Sequence, residues 1–307
     1  MKNPSTKTLG ANGSLVIGQS SELLFVMAIW GLTSPALKFL TGDFDAVILS
    51  ALRLASGFAV IFFCLYARVQ LRMITGQTIA LICLSATFTV YLFQILTTQG
   101  IHMSTATNGA LITAFQPLLA SVTAMAFLGE RIDRQRWVGL SMGLCGAFAI
   151  FLATFVDAAK ATGTGDTLIF GGVLAYCVGT SIAQYALRRI DAITLTVCTQ
   201  ALGSCMLFFH AAGAAWWKHE PPRLSCSFWL WVLVFLSGAL STGLGGMLWY
   251  RAIAKVGAAR ASLWLYWVPV FGVAGSVVFL KETLSPWHIV GLVLVLTGTY
   301  ISTRRKF

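Results

Sequence analysis

One pattern occurs twice in the chain, as QPLLASVTAMAFLGERIDRQRWVGLSMGLCG at residues 116–146 and as VPVFGVAGSVVFLKETLSPWHIVGLVLVLTG at residues 268–298. At a constant offset of 152 residues, both copies hold a Pro, a Phe-Leu-x-Glu step, a Val-Gly-Leu step and a final Gly. Chance matches between apolar residues are common in apolar sequences, but a shared Pro and a shared Glu in register are much rarer. The chain therefore contains an internal repeat.

The composition around this repeat excludes a soluble protein. Of the 307 residues, 57% are apolar and 10% are charged, whereas an average soluble domain carries about 25% charged residues. The mean hydropathy of +0.81 also excludes a disordered chain and a collagen-like fibre. Because the apolar residues come in long blocks, and about 20 helical residues cross a bilayer, we predict an all-α polytopic membrane protein.

The apolar blocks predict ten transmembrane helices, separated by turn-forming and charged residues. The predicted spans are 22–40, 46–67, 74–97, 103–128, 136–156, 166–187, 192–214, 228–250, 257–280 and 286–303. The repeated pattern relates spans four and five to spans nine and ten, so the chain divides into two five-helix repeats at 22–156 and 166–303. Since five is odd, the second repeat crosses the membrane in the opposite sense. Such inverted repeats are typical of carriers that expose one central site to either side.

The basic residues predict the orientation in the membrane. The net charge of +11 comes from basic residues that lie between the apolar blocks. This placement favours a role in orienting the protein in the membrane over nucleic-acid binding. With ten spans, 15 Lys and Arg residues fall on the side of the termini and 5 on the opposite side. Positive loops stay cytoplasmic, so we expect both termini in the cytoplasm and the protein in the cell (inner) membrane.

The chain resembles the EamA-type branch of the drug/metabolite transporter superfamily over residues 22–303. The resemblance lies in Trp30-Gly31, Lys38, Arg53 and the doubled Pro … Leu-x-Glu … Gly pattern. It implies ten helices arranged as two EamA repeats, a cell-membrane location and the export of amino acids or other metabolites. Within that branch, the YddG-like amino-acid exporters are the group that the chain resembles.

Polar and aromatic side chains at helical spacing are the candidates for binding a solute inside the membrane. They form polar stripes in spans one, three, four and six and an aromatic cluster in spans eight and nine. The alternatives are hydrogen bonds that hold helices together and aromatic belts at the membrane surfaces. The candidates are Trp30, Thr33, Tyr91, Gln94, Thr98, Asn108, Gln116, Tyr176, Thr180, Gln184, Tyr250, Trp264 and Trp267.

Three further residues inside predicted spans need an explanation. Pro117 and Pro269 each free a backbone carbonyl, which predicts a bend that acts as a hinge or as a static kink. Arg53 lies eight residues into span two, where a charge is costly. For Arg53 we favour snorkelling to the surface or pairing with Asp43 or Asp45, and a contact with a substrate carboxylate is the second interpretation.

The sequence favours a secondary carrier over the other classes of membrane protein. No phosphate-binding loop for ATP is present, and no Asp or Glu lies at mid-span, which predicts a facilitator or exchanger rather than a proton-driven antiporter. His102 and His210 are the exceptions to this argument. An intramembrane enzyme needs a catalytic cluster that we do not find, while a channel or structural subunit stays open. We expect no cofactor, metal or nucleic acid, a small-molecule substrate, the lipid bilayer as surroundings, and a monomer or weak homodimer.

Overall fold

The computed structural model describes residues 8–70, 74–104, 112–113, 115–129, 133–155, 163–280 and 286–303. All regular structure within these ranges is helical. The candidate Asn108 lies outside the described residues, as do Glu130 and Glu282 of the repeated pattern.

We number the helices in chain order and count segments that continue one another through a π or 3-10 turn as one helix. In the described ranges these are α1 Thr8–Leu40, α2 Ala46–Leu65, α3 Gly76–Met103, α4 Gln116–Leu128, α5 Arg134–Phe155, α6 Gly163–Ala186, α7 Ala192–Lys218, α8 Phe228–Val256, α9 258–280 and α10 Pro286–Thr303.

Six of the helices in the described ranges are long and apolar enough to cross a membrane: α1, α2, α3, α6, α7 and α8. Their outer faces carry large apolar side chains that no other part of the fold covers. Phe63 on α2 and Phe209 on α7 are 75% and 79% exposed. Side chains of this kind on several helices suit a lipid environment and not water. The chain is therefore a multi-pass membrane protein.

Some helix bounds differ from the predicted spans. Helix α1 begins at Thr8 rather than at residue 22, and α3 continues to Met103 rather than ending at 97. The prediction that span four begins at residue 103 is therefore wrong. Polar residues are sparse near His102, so the sequence marks this boundary weakly, and the segment remains helical and packs on α6, where Gly100 lies against Ile169. Helix α8 likewise continues to Val256 rather than ending at 250.

Two aspartates start the second helix of each half in the same way. The carboxylate of Asp45 accepts a hydrogen bond from the backbone N–H of Val47 at 2.9 Å. The carboxylate of Asp191 accepts from the backbone N–H groups of Ile193 and Thr194 at 2.9 and 3.0 Å. Such N-caps satisfy donors that have no partner within the helix. They fix the starts of α2 and α7.

The helix contacts join the two halves of the chain throughout the fold. Helix α2 packs on α7, and α5 packs along α10. Helix α1 lies against α8 and α9, while α6 lies against α3 and α4. Few of the extensive contacts involve two helices of the same half. The core of the protein is thus an interface between its halves.

Helices α3 and α8 each contain a π-helical segment, at Ala86–Leu92 and Gly238–Gly245, and these begin 152 residues apart. Each segment lies against a glycine of the helix that it crosses. A Cβ added at Gly57 of α2 would lie 2.7 Å from the backbone nitrogen of Gly243. One added at Gly203 of α7 would lie 2.1 Å from Cγ1 of Val90. Glycine thus permits the close approach of the two backbones at Gly57 and leaves room for the side chain of Val90 at Gly203.

Candidate functional site

A cavity of about 150 Å³ lies between the two halves. Its described lining comes from α1 to α4 and from α6 to α9, with Thr113 ahead of α4. Both π-helical segments contribute to it, through Thr89 and Val90 and through Ser241 and Thr242. π-helical turns frequently occur at functional sites. A dry cavity of about this volume holds a molecule of the size of benzene.

Seven of the candidate residues face this cavity. They come from three predicted spans in the first half and two in the second half. They are Trp30, Thr33, Gln94, Thr98, Gln116, Tyr176 and Tyr250.

Tyr91 lies outside the described lining. Its hydroxyl forms a hydrogen bond of 2.6 Å with Nδ1 of His210 on α7. Tyr91 belongs to the π-helical segment, whereas Gln94 and Thr98 belong to the α-helical part of α3. Because a π-turn holds more residues than an α-turn, the α-helical spacing does not place these three side chains on one face.

Four more candidates are placed away from the cavity. Thr180 is buried in α6, and Oε1 of Gln184 accepts a hydrogen bond from the backbone N–H of Ala258. Trp264 and Trp267 pack against an apolar cluster that contains residues of both halves. Trp267 also contacts the ring of Phe271, with 6.1 Å between the ring centroids.

Pro117 and Pro269 both lie near the start of an α-helical segment rather than in its interior. Pro117 is in the first turn of α4, and Pro269 is the third residue of the α-helical part of α9, which follows a 3-10 segment at Ser262–Tyr266. Proline is well tolerated in a first turn because the backbone donor that it lacks has no partner there. Pro117 thus follows the start of a helix, and Pro269 follows a change from 3-10 to α-helical geometry.

Aromatic rings form one wall of the cavity. Trp30 meets Tyr176 nearly edge-on at 89°, with 6.2 Å between the ring centroids. Trp30 also lies 5.4 Å from Trp249, and Phe93 lies 4.8 Å from Tyr176. These distances are in the range of favourable aromatic pairs. The wall presents flat apolar surface to a bound molecule.

Arg53 lies in the cavity wall and not at the membrane surface, so the predicted snorkelling and the predicted pairing with Asp43 or Asp45 are wrong. Its side chain is only 1% exposed. Nε donates to the hydroxyl of Ser237 at 3.2 Å, and Nη2 lies 3.5 Å from the hydroxyl of Ser241. Both serines belong to α8, which covers α2 at this point and keeps the guanidinium away from the surface.

Sequence reasoning missed several polar residues of the lining and one aromatic residue. The hydroxyls of Thr89 and Tyr250 are 3.1 Å apart, and the side-chain amide of Gln200 donates to the carbonyl of Thr242. Trp249 contacts Trp30 across the wall. The offset of 152 residues was the available signal, because it relates Thr89 to Ser241 and Thr97 to Trp249. The missed residues are Thr89, Thr97, Thr113, Thr199, Gln200, Ser241, Thr242 and Trp249.

The charge of the lining is unbalanced. Arg53 is its one charged side chain among the described residues, and no Asp or Glu accompanies it. No cluster of potential metal ligands occurs in the described part of the chain. The site therefore offers hydrogen bonds, aromatic faces and one positive charge, which suits the reversible binding of a solute.

Comparison with known proteins assigns the family. The profile of the EamA-like transporter family matches residues 22–152 and 163–304. The uncharacterized transporter YetK of Bacillus subtilis is 25% identical over 96% of this chain and 91% of its own length. The probable amino-acid metabolite efflux pump of Escherichia coli is 21% identical over 91% of this chain and 92% of its own.

A solved crystal structure shares the fold, with a TM-score of 0.72 and 16% sequence identity, and the match covers 93% of this chain and 96% of the other. Together with the multi-pass fold, the family match excludes the intramembrane enzyme considered above. The chain belongs to the EamA-like transporter family and is a membrane transporter.

Proposed function

We propose that the protein is a secondary transporter that exports small metabolites, with amino acids or amphipathic aromatic solutes as the substrate class. The carrying observation is the cavity between the two halves, which combines polar side chains with an aromatic wall. The similarity to a probable amino-acid metabolite efflux pump supports the same class of substrate. Convergent polar groups in a largely apolar pocket are typical of small-molecule sites.

The proposed architecture is ten spans in two inverted five-helix repeats. The contacts between halves support it because they occur in related pairs: α1 with α9 corresponds to α6 with α4, and α1 with α8 corresponds to α6 with α3. The contacts of α2 with α7 and of α5 with α10 each relate a helix to its own counterpart. A half-turn between the repeats produces this pattern.

The proposed mechanism is alternating access by movement of one half against the other. The cavity lies where the halves meet, so a change in their relative tilt opens it to one side and closes it to the other. Pro117 and Pro269 are the proposed hinges, since each lies within the first three residues of an α-helical segment. The glycine contacts at Gly57 and Gly203 keep the crossing helices close during this movement.

The proposed energy source is the solute gradient itself or exchange with a second solute. The described lining has no Asp or Glu. His102 of α3 and His210 of α7 are also outside it. A carboxylate or histidine in the pathway is the usual route for a driving proton. We place both termini in the cytoplasm and the protein in the inner membrane, as the distribution of Lys and Arg indicates.

Counterflow in reconstituted vesicles tests the proposal. A growth-toxicity screen with amino acids and their analogues in overexpressing cells first selects a solute. Vesicles are then loaded with the unlabelled solute and diluted into medium that contains the labelled one. A carrier accumulates label transiently and saturates, because inward and outward movements share one site. Flux that rises linearly with concentration without transient accumulation would contradict the proposal and identify a channel.

A further inference from the structure

Arg53 is the buried charge in the cavity whose function the fold does not explain. Its side chain is almost fully buried and belongs to the described lining. Nε has a hydroxyl partner on Ser237, and Nη2 is at the limit of hydrogen bonding with Ser241. Nη1 is buried and has no hydrogen-bond partner among the described residues. A planar guanidinium carries five donors, so most of its capacity is unused.

An unpaired cation inside a membrane protein is expensive. Burying a charge costs several kcal/mol unless an opposite charge or hydrogen bonds compensate for it. The two serine hydroxyls are neutral, and the described cavity lining contains no carboxylate. A structural arginine is ordinarily paired with an acidic side chain of the protein. Here the compensating anion has to come from the bound molecule.

The surroundings of Arg53 restrict the shape of that anion. Ser241 joins the guanidinium to the aromatic wall, since its carbonyl accepts a hydrogen bond of 3.0 Å from Nε1 of Trp30 while its hydroxyl faces Nη2 of Arg53. Beyond Trp30 lie the rings of Tyr176 and Trp249. A molecule held here places its charge at Arg53 and a flat apolar group against the indole.

We infer that Arg53 binds the carboxylate of the substrate, and that the substrate is a small carboxylate with a flat apolar group of about the size of benzene. The inference rests on the proposed transport function and names the substrate class of the same cavity. Arg53 donates to the carboxylate through Nη1 and Nη2, a pairing for which the guanidinium fork is suited. The ammonium group of an amino acid is not required, because no acidic side chain of the described lining faces it.

Binding to the purified wild-type protein tests the inference without any mutation. The probes are L-phenylalanine, 3-phenylpropionate and L-phenylalaninamide, and the signal is the change in the fluorescence of the ten tryptophans, which include Trp30 and Trp249 at the cavity. We expect both acids to bind about tenfold or more tightly than the amide, because a hydrogen bond to a charged group is lost with the carboxylate. Binding of one acid alone supports the carboxylate contact. An amide that binds as well as the acids, or no binding of either acid, would overturn the inference.

Two variants of Arg53 then locate the contact. Arg53→Gln should weaken binding of the acids about tenfold or more and leave binding of the amide unchanged, and Arg53→Lys should retain part of the preference. Arg251→Gln is the matched control, since Arg251 is 41% exposed and pairs with Glu22 outside the cavity. Equal preference for acids in Arg53→Gln and wild type would contradict the role of Arg53. The transport proposal has its own test, because it is contradicted only if no solute from the screen shows counterflow.

Discussion

The two sides of the cavity have the same framework but different chemistry. We call the two sides the charged side and the neutral side, and three residues of one correspond to three of the other. Residues of α1 and α2 correspond to residues 146 positions later, and residues of α3 correspond to residues 152 positions later. The charged side consists of Arg53, Trp30 and Ser241, and the neutral side of Thr199, Tyr176 and Thr89.

On the charged side, Arg53 and Trp30 meet at Ser241. On the neutral side, the hydroxyl of Thr199 bonds to carbonyls of its own helix, and that of Thr89 pairs with Tyr250. The glycine contacts of α2 and α7, in contrast, occur in both halves. Close packing at these glycines therefore occurs in both halves, whereas the buried cation occurs on one side.

The largest predicted difference between the two sides concerns transport. We expect Arg53→Gln to lower the flux of a carboxylate substrate about tenfold or more, because it removes the charged side's cation. Thr199→Val at the corresponding position should change the flux less than about twofold, since it removes no charge and the hydroxyl already donates to carbonyls of its own helix. Flux in vesicles measures both. Equal losses in the two variants would show that the charged side is not special.

The second comparison concerns the glycine contacts and uses thermal unfolding in detergent. Gly57→Ala and Gly203→Ala should each destabilise the protein by about 1–3 kcal/mol through overpacking. The clash at Gly203 is with the side chain of Val90, so adding Val90→Ala should restore part of the stability. Gly57 faces the backbone nitrogen of Gly243 as well as the side chain of Thr242. Adding Thr242→Ala to Gly57→Ala should therefore not rescue it, and a full rescue would contradict the described contact.

The smallest predicted effect concerns the aspartate caps. Asp191 accepts from two backbone N–H groups and from the hydroxyl of Thr194, whereas Asp45 accepts from one backbone N–H. Loss of a capping residue costs about 1 kcal/mol. Asp191→Ala should lower the unfolding temperature more than Asp45→Ala, and Asp→Asn at either position should lie between the alanine variant and wild type. The reverse order would contradict the assignment of the caps.

The helices were predictable from sequence because lipid-facing blocks are almost purely apolar. The bounds failed where a helix continues past the predicted end of a span. Residues 98–103 of α3 include Gln99 and His102, yet they remain helical because Gly100 permits packing on α6. No local signal in the sequence distinguishes this helical turn from a loop, since the difference depends on a helix that comes some 60 residues later.

The site was partly predictable, and the errors have identifiable causes. Gln94 and Thr98 face the cavity as their spacing predicts. Tyr91 does not, because it lies in the π-helical segment, where the number of residues per turn differs from that of an α-helix. The location of Arg53 depends on α8, which covers it with Ser237 and Ser241. Contacts between residues almost 190 positions apart have no trace in local periodicity. The repeat was the better guide to Thr89, Thr199 and Ser241.

In the proposed mechanism, one cavity between two inverted repeats opens to each face of the membrane in turn. The most direct measurement is the reaction of a single cysteine at Gln94, which lines the cavity, in a variant whose seven native cysteines are replaced. A membrane-impermeant maleimide is applied from one side or the other of sealed vesicles of known orientation. The account predicts reaction from both sides, slowed by the transported solute, with no leak of ions. Reaction from one side only under every condition, or from both sides with an ion leak, would contradict it.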